Sequence, residues 1–68
     1  MDDATKAMLE ESYVETVQEA LNAGHSAMDA HKEGVVAAAM LLASLTGAED
    51  DDARAQVASL KFRPELAA

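Results

Sequence analysis

From Asp3 to Ala23 the apolar residues return every three or four positions, as Leu9, Tyr13, Val17, Ala20 and Leu21, with Val14 beside them. Glu11, Glu15, Gln18, Glu19 and Asn22 occupy the other side. This spacing predicts an amphipathic helix with one burial face. Asp2 or Asp3 can cap its start, where a carboxylate meets the positive end of the helix dipole. Gly24 can end it, because glycine tolerates the left-handed conformation that closes helices.

A second series, Met28, His31, Val35, Ala38, Leu42 and Leu45, alternates steps of three and four. Such a stripe packs against neighbouring antiparallel helices. Ser26 and Asp29 have the spacing of a capping box, so the helix should run from about Ala27 to Leu45 or Thr46, with Gly47 to stop it. Gly34 lies inside this pattern and costs about 1 kcal/mol relative to Ala. Either a neighbouring helix passes very close there, or the helix bends.

The acidic run Glu49 to Asp52 can open a third helix, from about Asp51 to Phe62, with Ala53, Val57 and Leu60 as its stripe. Arg54 is one turn from Asp50 and Asp51 and is expected to pair with one of them. The residue before Pro64 is biased away from helix, and Glu65 to Ala68 should fray. The pattern predicts an all-α fold in which residues 1–68 form a single three-helix domain, a helical hairpin with a shorter third helix.

Composition changes this picture in one respect. Half the residues are apolar, but many are Ala, and the aromatic residues are only Tyr13 and Phe62. A chain of 68 residues is near the lower limit for folding on one core. It has no Cys, so disulfides cannot help, and oligomerisation is the remaining common support. Once the main stripe of the second helix is assigned, Val36, Met40 and Ala43 form another apolar line, with Ala37 and Leu41 beside it. Val36, Met40, Leu41 and Ala43 are therefore the expected interface of a homodimer that completes the fold.

Thirteen acidic against five basic residues give a net charge of −8. Such a surface repels nucleic-acid phosphates and anionic lipid head groups, so direct binding to either is not expected. A basic protein partner is compatible with the charge. The longest apolar run, Val35 to Ala43, falls well short of the roughly 20 residues needed to cross a bilayer. The first residues are acidic where a secretory signal would be basic, which makes the cytoplasm the expected compartment. The Ala-rich composition is associated with bacterial or phage genomes.

Acid-base groups gather only at His25, Asp29, His31 and Glu33. At about 100° per residue, His25, Asp29, Lys32 and Glu33 share one face of the second helix while His31 lies on the apolar face. The imidazoles diverge, and His25 with Asp29 supplies two ligands where zinc needs three or four. No metal, cofactor or catalytic residue is expected. A histidine phosphotransfer domain carries Lys three and Gly four residues after its His; Lys32 and Gly34 follow His31 at one and three. His31 reads as a spacer on the packed stripe.

The expected function is a non-catalytic protein-protein interaction or assembly module. Two alternatives belong to other classes: an acidic inhibitor that occupies a basic, nucleic-acid-binding surface, and a small phosphotransfer or enzyme subunit using His31 or His25.

Overall fold

In the computed structural model, which describes residues 1–67, α1 spans Asp3–Asn22, α2 Ala27–Thr46 and α3 Asp50–Ser59, followed by a 3₁₀ turn at Pro64–Ala67. Caps written in the sequence set the first two helices. The Asp2 side chain accepts from the Thr5 amide at 2.7 Å, and the hydrogen bonds from Thr5 hold its carboxyl below the ordinary range. At the other end of α1, Gly24 is left-handed, with φ 93°. The Gly24 amide donates to the Leu21 carbonyl and the His25 amide to the Ala20 carbonyl, both at 3.0 Å. These two bonds make a Schellman closure and turn the chain directly into α2. Ser26 caps α2 through the Asp29 amide at 3.1 Å, and Gly47, left-handed at φ 75°, ends it.

The core of α1 is the expected stripe, with Leu9, Tyr13, Val17 and Ala20 buried. On α2 the buried line differs from the expected one. Ala30, Gly34, Ala38, Ala39 and Leu42 face inward, whereas Met28 and Leu45 are 68% and 48% exposed. His31 and Val35 are half-buried. The reason is how closely α1 lies on α2. A Cβ built on Gly34 would sit 2.6 Å from Tyr13 Cδ2 and 2.8 Å from Val17 Cγ2. The close line of contact is therefore made of small residues, Ala30, Gly34 and Ala38, and the larger residues of α2 lie beside or outside it. Gly34 marks a close approach between helices.

The third helix is shorter than the sequence suggests. It ends at Ser59, and Lys61 takes a left-handed backbone, φ 57°. Had the helix continued, Phe62 would point about 140° away from Val57 at roughly 100° per residue. The early stop lets Phe62 turn back into the core, where it is 7% exposed and its ring centroid lies 5.3 Å from that of Tyr13. Arg54 does not pair with Asp50 or Asp51: among the described residues, His25 and Glu33 form the only ion pair.

The expected fraying of the last residues is also corrected. Pro64–Ala67 folds as a 3₁₀ turn with Ala67 buried, and Gln18 Nε2 reaches the Ala67 carbonyl at 3.4 Å; Ala68 lies outside the described residues. Tyr13, Leu9, Leu42, Val17 and Val57 are sealed within one chain, each less than 2% exposed.

Candidate interaction surface

The four interface residues expected from the sequence do not share one environment. Val36 and Met40 stand on the outer face of α2, 39% and 67% exposed. Leu41 and Ala43 are half-buried and pack in part against the core of their own chain. The outer face of α2 is thus a ridge carrying Val36 and Met40, with Ala37 beside it. A shallow depression reaching Thr16 of α1 lies on one side, and another reaching Asp50 and Arg54 lies on the other.

Next to this ridge, between α2 and α3, runs a larger groove of about 510 Å³. Val35, Val36 and Ala58 contribute its accessible apolar lining beside the buried Val57 and Phe62, and Lys32, Arg54 and Lys61 stand around it. This groove was not legible in the sequence, because its two walls come from helices whose relative placement depends on packing. Only the turn at Lys61 and Phe62 brings the third cation to it.

His31 connects the groove to the core. Its ring lines the groove, and its Nδ1 shares a 2.7 Å hydrogen bond with the Tyr13 hydroxyl. The two rings meet edge to face, with centroids 5.7 Å apart and planes 75° apart. Tyr13 is fully buried, so His31 is the group that satisfies its hydroxyl. Burial, with a smaller contribution from the Glu65 carboxylate, pushes the Tyr13 phenol above its usual value. The sequence places His31 on a packed stripe but carries no sign of this pairing across 18 positions.

His25 is exposed and pairs with Glu33, Nδ1 to Oε2 at 2.7 Å, while Asp29 offers its amide to the Ser26 cap. Among the described residues no three His, Cys, Asp or Glu side chains converge as metal ligands. No described helix is long and apolar enough to cross a membrane. Comparison with protein-family models, curated proteins and solved structures finds no match for the chain.

Proposed function

We propose that the chain is a non-catalytic assembly module that pairs with a second copy of itself through the outer face of α2. The observation that carries this reading is Met40, 67% exposed in the middle of a helix whose other side is closely packed. Val36 stands one turn away, and the small neighbour Ala37 would let a second helix approach. Methionine adapts to an imperfect opposing surface.

The total accessible area, 4412 Å², is close to the roughly 4,100 Å² of a folded monomer of this mass. Pairing would therefore add to a closed fold, and monomer and dimer would exchange with concentration. A phosphate-accepting role for His31 is disfavoured by its half-buried ring and its engaged Nδ1.

Sedimentation of the native protein and of Met40→Glu tests the reading. The native protein should dimerise with rising concentration, and the charged variant should stay monomeric at unchanged helical content, because an unpaired charge is costly at a buried interface. A native protein that remains monomeric at high concentration refutes self-association.

The second reading, an acidic inhibitor of a basic surface, draws support from the exposed carboxylates of Glu49, Asp50, Asp51 and Asp52 at the start of α3. It would show as binding to a basic protein that weakens steeply with salt.

A further inference from the structure

Three of the five basic residues of this acidic chain, Lys32, Arg54 and Lys61, line the groove between α2 and α3. Among the described residues, nine line that groove and none is acidic, although acidic residues number thirteen in the chain. Among the described residues no carboxylate lies within 4 Å of any of the three cations. Among the described residues, then, no ion pair neutralises their charge.

Lys61 adds an independent observation. It adopts the left-handed backbone, φ 57°, at a helix-closing position where glycine is the favoured residue. A lysine there is strained, and it adds a third cation to the groove lining. A volume of about 510 Å³ falls within the usual range of small-ligand sites, roughly 300–1,000 Å³.

We propose that the α2–α3 groove binds a small aliphatic carboxylate, its hydrocarbon chain against Val35, Val36 and Ala58 and its head group among Lys32, Arg54 and Lys61. The net charge of −8 narrows the class. A monoanion meets less repulsion from the whole molecule than a phosphate dianion does. At physiological salt the acidic face of α1 is screened beyond about 8 Å, so the local cations dominate for a ligand confined to the groove. An acidic protein segment would extend past the groove toward the carboxylates at the start of α3, which oppose it. Binding of the small acid requires no second copy of the chain.

Amide NMR titration of the full chain tests this, with sodium octanoate and octyltrimethylammonium as probes of equal tail and opposite charge. Octanoate should shift the amides around Val35, Val57 and Lys61 saturably, and the ammonium compound should not. Arg54→Gln and Lys61→Gly should each weaken octanoate binding by about tenfold, the loss of one charge-assisted hydrogen bond. Melting curves recorded alongside check that both variants remain folded. Equal responses to the two probes, no saturable response to octanoate, or unchanged affinity in both folded variants would overturn the proposal.

Discussion

Replacing Gly34 by Ala asks whether helix propensity or close packing decides the stability of this chain. In an exposed helix the change is favourable by about 1 kcal/mol. Here the new methyl carbon would stand 2.6 and 2.8 Å from two carbons of the Tyr13 ring and 2.8 Å from Val17 Cγ2. Neither neighbour can yield easily. The Tyr13 ring is fully buried between Phe62 and His31, and its hydroxyl is tied to His31.

Overpacking of this kind costs about 1–3 kcal/mol, and a ring displaced from His31 forfeits a further 1 kcal/mol or about that. With the propensity gain subtracted, Gly34→Ala should be destabilising by about 2 kcal/mol. For a domain of this size that lowers the melting temperature by roughly 8–16 °C. Circular dichroism melts of the two proteins at equal concentration measure it. In a Tyr13→Leu background most of the clash is gone, and the same substitution should become nearly neutral or stabilising, a coupling that contact requires. A Gly34→Ala protein as stable as the native one would refute the close approach of α1 to α2.

Tyr13→Phe should cost about 1 kcal/mol, because half-buried His31 can turn to water, whereas His31→Leu leaves a fully buried hydroxyl without a partner and should cost about 1–3 kcal/mol; urea unfolding compares the two. The Tyr13 phenol is raised in the folded chain, so above the ordinary tyrosine range the unfolded chain loses its proton first. Stability should then fall as pH rises from about 10 toward the folded value, and a thermal-melt series that stays flat there would contradict the burial of Tyr13. Lys61→Gly removes the left-handed strain and should raise stability by up to about 1 kcal/mol, seen as a higher melting temperature. Ser26→Ala removes the α2 cap and should cost about 1 kcal/mol, checked by the same melts.

The sequence by itself determined the elements that depend on neighbours in the chain. Asp2, Ser26, Gly24 and Gly47 fix where the long helices begin and end, because caps and left-handed closures are local chemistry. Leu9, Tyr13 and Val17 identify the buried face of α1, because large apolar residues recur there against a charged background. The same reasoning misplaced the buried face of α2, where large residues surround the helix and the contact line is made of Ala30, Gly34 and Ala38. Which line faces inward was decided by how closely Tyr13 and Val17 approach, a property of two helices together. The left-handed Lys61, the return of Phe62 to the core, the Tyr13–His31 bond and the cationic groove were likewise settled only in the tertiary structure. Each joins residues separated along the chain, and no periodicity within one segment encodes a meeting between segments.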